Sequence, residues 1–330
     1  MTGRIELTGQ IITSVNFGGL PLFYFSPQKV WTAALNFSEF GIDKLEVPDG
    51  VLDPDNKTDG KGVDQEVFDT TLSGMPPGVE VIATYIGSQH LGGDNEEFLK
   101  QAKRKLGILF DAFPNMRYVM MHPHSQGDSS LDETLGVVTT WNKLADFAAT
   151  KREGAQVCFH NHYDTFGETA EQVRNYLNCI RAASNPALRW GLDTGHLHST
   201  GKEYFSVLED NADLIGDYFH IKARNPALDV KDPCYDASMD PTGGKVYRGF
   251  VCPARVGVIT KFYNVFEMIK RAKPDDATVY GAIEIDNPIV DPSREIQAAV
   301  GYLMKNFDTR TQRPTHIDDM CNVRQLLEPL

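Results

Sequence analysis

Eight short apolar runs alternate with longer amphipathic ones along this chain, and that rhythm limits the fold more than any single residue does. The strand candidates are Ile5–Ser14, Lys44–Pro48, Val79–Gly87, Tyr118–His124, Gln156–His162, Leu188–Thr194, Asp217–Ala223 and Val279–Asp286. The first helix-like stretch opens at Ser26-Pro27, a cap followed by proline at the first helical position, and runs to about Phe40. A weaker one lies near Gln65–Leu72, followed by Glu96–Phe113, Leu131–Thr150, Thr169–Ala183, Lys202–Asn211, Ile259–Ala272 and Pro292–Asn306. Such alternation calls for parallel strands joined by crossover helices, and an α/β fold closed as a single (β/α)8 TIM barrel over residues 1–330 is the expectation. An open doubly wound sheet is the alternative. Against it, no GxGxxG follows the first strand, and polar residues gather at the ends of nearly all the strands rather than at one switch point.

Two regions break the rhythm. The connection after the seventh strand, about Arg224 to Val258, is rich in Gly, Pro and Asp, which predicts a lid or subunit contact rather than a helix. The C-terminal tail, residues 308–330, is expected to pack on the barrel or on a partner.

Composition excludes several functions. A formal charge of -13 over 330 residues repels a phosphate backbone, and no Lys/Arg stripe with interleaved aromatics offsets it, so nucleic acid is not an expected partner. No apolar stretch approaches the length of a membrane span, and MTGRIELTGQ lacks the charged head and apolar run of a signal peptide. Five cysteines without CxxC spacing fit a reducing compartment, and a cytoplasmic location is expected.

Eight of the nine histidines, His90, His122, His124, His160, His162, His196, His198 and His220, fall at or just past strand ends. Residues two apart on a strand share a face, so His122 with His124, His160 with His162, His220 with Lys222, and Glu284 with Asp286 can each face the barrel mouth together. Imidazoles and carboxylates converging from different strands form a donor set for a divalent metal ion, Mn2+ favoured, with Fe2+, Co2+ and Zn2+ also suited. The candidate ligands are His160, Asp193, His220 and Glu284, one from each of the last four strands, with His162 as the alternative to His160. Glu284, His124, His162 and Lys222 are the candidates for proton transfer and for holding a developing negative oxygen. His196, Glu46, Asp286 and Tyr163 are candidates for substrate contact, although a buried ion pair explains Glu46 equally well. Phe17 and Tyr85 are candidates to line the pocket.

The segments FHNHYDTFGETAEQV, RWGLDTGHLHSTG, DYFHIKAR and YGAIEIDNP, in that order, resemble the strand-five to strand-eight motifs of the xylose isomerase-like sugar isomerase/epimerase superfamily, and among its branches the inosose dehydratase-like one. In that superfamily Glu, Asp, His and Glu commonly hold a metal, which carries over to Asp193, His220 and Glu284. His160 stands in the frame HNH where relatives often show ENH. The substitution removes one of the two metal-bound glutamates that many epimerases of the superfamily use as paired acid and base. The resemblance therefore implies a sugar or polyol bearing a ketone, with one-sided abstraction of the proton beside the carbonyl. Isomerisation, dehydration and elimination from an oxidised glycoside, as in the similar catalytic subunits of C-glycoside deglycosidases, are all compatible. A homo-oligomer or an accessory subunit is an expected partner. A metal-dependent hydrolase on the same barrel, or a non-catalytic sugar-binding barrel, is the alternative. The hydrolase would normally place a bridging lysine on the fourth strand, where this chain has Met120 and Met121.

Overall fold

The computed structural model describes residues 4–10, 14–17, 20–23, 34–49, 65–86, 95–123, 130–240, 247–286 and 291–313. Eight parallel strands form the barrel: β1 (Arg4–Gln10), β4 (Lys44–Pro48), β5 (Glu80–Ile86), β6 (Tyr118–Met121), β7 (Gln156–Phe159), β8 (Leu188–Trp190), β9 (Tyr218–Ile221) and β12 (Thr278–Ile283). Between β1 and β4, β2 (Ser14–Phe17) and β3 (Leu20–Phe23) form a separate antiparallel hairpin. Hydrogen bonding runs β8-β7-β6-β5-β4-β1-β12-β9, and two single bridges, Trp190 to Ile215 and Asp193 to His220, join the ends of that row. The expected (β/α)8 barrel is the fold.

The outer helices are α1 (34–39), α2 (Gln65–Ser73), α3 (Asn95–Ala112), α4 (Leu131–Lys151), α5 (Ala170–Ala183), α6 (Tyr204–Asp210), α7 (Phe262–Ala272) and α8 (Pro292–Asn306). Their starts are written locally. Ser130 with Glu133, and Thr169 with Gln172, form capping boxes, and Asp291 caps α8 ahead of Pro292. Among the described residues, no helix is long and apolar enough to cross a membrane.

Strands buried on both faces fill two separate spaces. Outward side chains such as Val157, Phe159, Phe219 and Ile221 pack under the helices, with Trp141 and Tyr176 stacked on Phe159. Inward ones, among them Ile82, Tyr118, Met120, Cys158, Tyr218 and Ala282, fill the lumen, where Tyr118 and Tyr218 stack at 5.2 Å. This plug is the floor beneath the polar strand ends.

Several strands stop earlier than their apolar runs predict. β7 ends at Phe159 and β8 at Trp190; His160 N and Gly191 N still bond to the neighbouring strand, and beyond them backbone groups turn to the site. The N–H groups of Gly195 and His196, for example, turn onto the Asp193 side chain. The stretch expected as a helix from Lys202 begins as a 3₁₀ segment, His196–Glu203, broken at Gly201, before α6 proper. β13 (Thr309–Arg310) pairs with the start of β1, below the point where β4 joins it. There Gln312 donates to Leu7 O at 2.7 Å and accepts from Asp43 N at 2.9 Å. Residues 314–330 lie outside the described residues.

The connection after β9 folds back over the mouth. Its ends, β10 (Ala223–Arg224) and β11 (Phe250–Val251), pair antiparallel, so Phe250 hangs above the strand ends. Gly249 makes the reversal at φ 66°, where an added Cβ would lie 2.2 Å from Asn225 O. Gly154 shares a positive φ, 73°, but has open space around it. Gly154→Ala is expected to lose about 1–2 kcal/mol from the left-handed backbone alone. Gly249→Ala is expected to lose more, because Asn225 must also move. Equal losses in urea unfolding of the two variants would contradict the tight reversal.

Candidate metal centre

Ligand atoms of His160, Asp193 and His220 lie within 4.8 Å of one another, Glu284 joins them through His220, and three of the four side chains follow the same rule: one polar atom is tied down and the other is left open. Asp193 Oδ1 accepts from Gly195 N at 2.7 Å and His196 N at 2.6 Å, which aims Oδ2 at the centre. His220 Nε2 is 2.9 Å from Glu46 Oε2, and that carboxylate keeps the proton on Nε2 and turns Nδ1 inward. Glu284 Oε1 pairs with Lys222 Nζ at 2.7 Å, leaving Oε2 3.0 Å from His220 Nδ1. His160 completes the set, with Nε2 3.9 Å from Asp193 Oδ2, itself 3.8 Å from His220 Nδ1.

Among the described residues Asp193 Oδ2 is buried with no hydrogen-bond partner, and the buried His220 Nδ1 and Glu284 Oε2 face only each other, at 3.0 Å. Unsatisfied buried polar atoms are rare and need a cause. Metal bonds of ~2.1 Å set neighbouring donors ~3.0–3.4 Å apart. Gaps of 3.0, 3.8 and 3.9 Å lie close to that, so these residues fit a divalent ion after small inward shifts.

Asn161, between the two fifth-strand histidines, fixes the geometry. Its Oδ1 accepts from Trp190 Nε1 at 2.9 Å and Asp193 N at 3.0 Å, and its Nδ2 donates to Asp193 O at 3.1 Å. Thr194 Oγ1 does the same between β8 and β9, accepting from Lys222 N at 2.9 Å and donating to Lys222 O at 2.7 Å. Gly195 leaves room for the Lys222 stem, which an added Cβ would meet at 2.6 Å.

Lys222 brings the one ammonium found here among the described residues and is buried. Its Nζ lies 2.7 Å from Glu284, 2.8 Å from Asp286, 3.6 Å from Asp193 and 2.7 Å from His196 Nε2. Burial opposes its charge, but Asp286, Glu284 and Asp193 more than offset this and hold it ionised well above the usual lysine range. Burial pushes Asp193 and Asp286 up to about 7, with Lys222 opposing. Burial pushes Glu284 the same way, yet Lys222 and His220 keep it well below the usual carboxylate range.

A row of rings makes the opposite wall. His122 stacks on His162 at 4.9 Å, and His162 on His196 at 3.9 Å. Tyr85 closes one end against His122 and His160, and Phe250 the other against His196, with Tyr163 beside them. The His162 ring is set by a 2.5 Å contact from Nδ1 to Tyr163 O, so Nδ1 carries the proton and Nε2 keeps its lone pair. Burial lowers His160, His162 and His196 well below the ordinary histidine range. His160, His162 and His196 also bring ring nitrogens within 4.8 Å of one another. The Lys222 ammonium, 2.7 Å from His196 Nε2, competes with a metal for that ring, which favours the Asp193 and His220 position for a metal.

The structure thus brings together His160, His162, Asp193, His196, His220, Lys222, Glu284, Asp286 and Tyr163. Glu46 is there too, fully buried with both oxygens occupied, as the ion-pair explanation has it. His198 instead turns to Thr260. His124, His90 and the Phe17 side chain lie outside the described residues. The sequence reading missed Asn161, Thr194 and Phe250. The N of HNH and the T of DTGH were visible signals for the first two; nothing local marks Phe250.

Burial lowers the affinity of His220 for its proton, but Glu46 and Glu284 on either side push the metal-free group up to about 10. That ion pair stabilises the metal-free fold fully below the ordinary histidine value, and its contribution is lost as pH rises through about 10. At pH 8, uptake of Zn2+ or Mn2+ is expected to release about one proton from His220. Calorimetry in two buffers of different ionisation enthalpy checks this, and identical heats would contradict it.

No protein-family model and no curated protein matches the chain. Solved structures do. A xylose isomerase-like TIM barrel protein from Mycobacterium smegmatis in complex with magnesium aligns with a TM-score of 0.60 at 14% identity, over 91% of this chain and 95% of that one. The 3-keto-D-glucoside 4-epimerase YcjR from E. coli aligns with a TM-score of 0.57 at 16% identity, over 92% and 100%. The probable 3-DHS dehydratase AsbF from Bacillus anthracis aligns with a TM-score of 0.56 at 14% identity, over 92% and 99%. The fold of this chain is that of the xylose isomerase-like TIM barrel proteins.

Proposed function

We propose that the protein is a divalent-metal-dependent enzyme that removes the proton beside a ketone in a sugar or polyol. The observation that carries this is the convergence of buried ligand atoms from His160, Asp193 and His220 within 4.8 Å of one another, with Glu284 beside His220. Two nitrogens and two oxygens suit Mn2+, Fe2+, Co2+ or Zn2+. When bound, such an ion polarises a carbonyl and stabilises negative charge on its oxygen. The similarity in fold to a 3-keto-D-glucoside epimerase and to a dehydratase supports the substrate class.

The chain's own residues divide the remaining work. His162 presents an unprotonated Nε2 from a ring locked by Tyr163 O, and that geometry assigns it as the base. Lys222 donates to the substrate oxygen that gains charge, or to a departing one. Asp286 shares the Lys222 ammonium and is placed to accept from a sugar hydroxyl. The stacked rings and Phe250 cover the apolar C–H face of the substrate and keep water away. With an imidazole at 160, the metal ligands supply no second carboxylate base across from Glu284. Removal of the proton from one face followed by isomerisation or elimination fits that asymmetry better than a symmetric epimerisation.

Metal analysis after gentle purification is expected to find one divalent transition metal per chain, abolished by Asp193→Ala. In D2O with a 3-keto-glycoside, His162→Gln is expected to slow exchange of the proton beside the ketone by ~10²–10⁴-fold while metal content stays unchanged. A protein that binds no transition metal, or turnover without any such exchange even in trapped intermediates, would sink the proposal.

A further inference from the structure

A fully enclosed acid, Glu46, lies beneath the metal position, against His220. Glu46 has no solvent exposure, so it cannot touch a sugar without the barrel opening. Its strand neighbour in the β1–β4 pairing is Gln10, whose Nε2 donates to Oε1 at 2.7 Å. The other oxygen crosses the lumen to His220 Nε2 at 2.9 Å. Two features of the backbone permit that reach. The β4–β5 register shifts between Leu45 and Glu46, and an irregularity of this kind re-aims a side chain. The strand beside β9 offers Ala282 opposite His220, which leaves the space between the two side chains clear.

We infer that Glu46 is a positioning residue: it fixes the proton on His220 Nε2, holds the ring, and so presents Nδ1 to the metal position, with Gln10 orienting Glu46 in turn. The inference rests on the metal reading above and gives Glu46 a role distinct from substrate contact. A carboxylate on the far nitrogen of a ligating histidine raises its basicity and sets its tautomer, and loss of such a partner typically weakens metal binding by ~10–100-fold. Gln10 acts at one further remove, so its loss costs less.

The test is competition for Zn2+ between the full-length protein and a chromophoric chelator, with unfolding curves of the metal-free proteins run alongside. Glu46→Ala is expected to weaken Zn2+ by ~10–100-fold, and Glu46→Gln, which keeps the size and an acceptor oxygen, by less. Gln10→Ala, at the partly buried end of the relay, is expected to weaken it least. It keeps the test open if Glu46→Ala does not fold. The visible absorption of the Co2+-loaded protein is expected to shift in Glu46→Gln, a change that a purely structural role does not produce. Unaltered Zn2+ affinity and Co2+ spectrum in folded Glu46→Gln, with only KM for a 3-keto-glycoside raised, would overturn the inference and return Glu46 to substrate contact. Wild-type protein that takes up no Zn2+ defeats the functional proposal itself, a separate outcome.

Discussion

The barrel closes between β8 and β9, and everything at the site depends on that seam. β8 is three residues long, and only the Trp190–Ile215 and Asp193–His220 bridges complete the ring of strands. The second bridge is made by the backbones of two candidate metal ligands. His220 N donates to Leu192 O at 2.8 Å, Thr194 N to His220 O at 3.2 Å, and the Thr194 hydroxyl stitches both sides of Lys222. Asn161 reaches over from β7 to hold Asp193. The seam that closes the barrel thus also sets Asp193 and His220 side by side.

Three buried carboxyl groups, on Glu46, Asp193 and Glu284, and the partly exposed one of Asp286 lie around one ammonium, on Lys222. Buried charges are costly unless paired. Lys222 and His220 pair most of them, and a divalent ion would reduce the remaining negative excess. The division within each side chain, with one atom fastened and one open, lets the protein hold the donors close without collapsing them onto one another. His160 is the least constrained of the four, since its Nδ1 has no partner among the described residues.

Much of this was legible in the sequence. Lys44–Pro48 and Pro292–Asn306 begin and end where their patterns predict, because a strand buried on both faces and a helix with a proline start carry their limits locally. The period-two pairs His160/His162, His220/Lys222 and Glu284/Asp286 do face the mouth together, even where the ladder has already ended. What the sequence could not show is which atoms meet across the lumen. Glu46 and His220 are 174 residues apart and joined only by closure of the ring. Phe250 reaches the site through a hairpin whose other strand, Ala223–Arg224, is two residues long, too short for any periodicity.

The stacked Tyr118 and Tyr218, with Met120 and Cys158, close the barrel from below. The site is therefore a blind well. Among the described residues, Phe250 and the β10–β11 pair lie over the side opposite that floor. Under the proposed function, a group to be released from the substrate would have to leave on the side away from that floor.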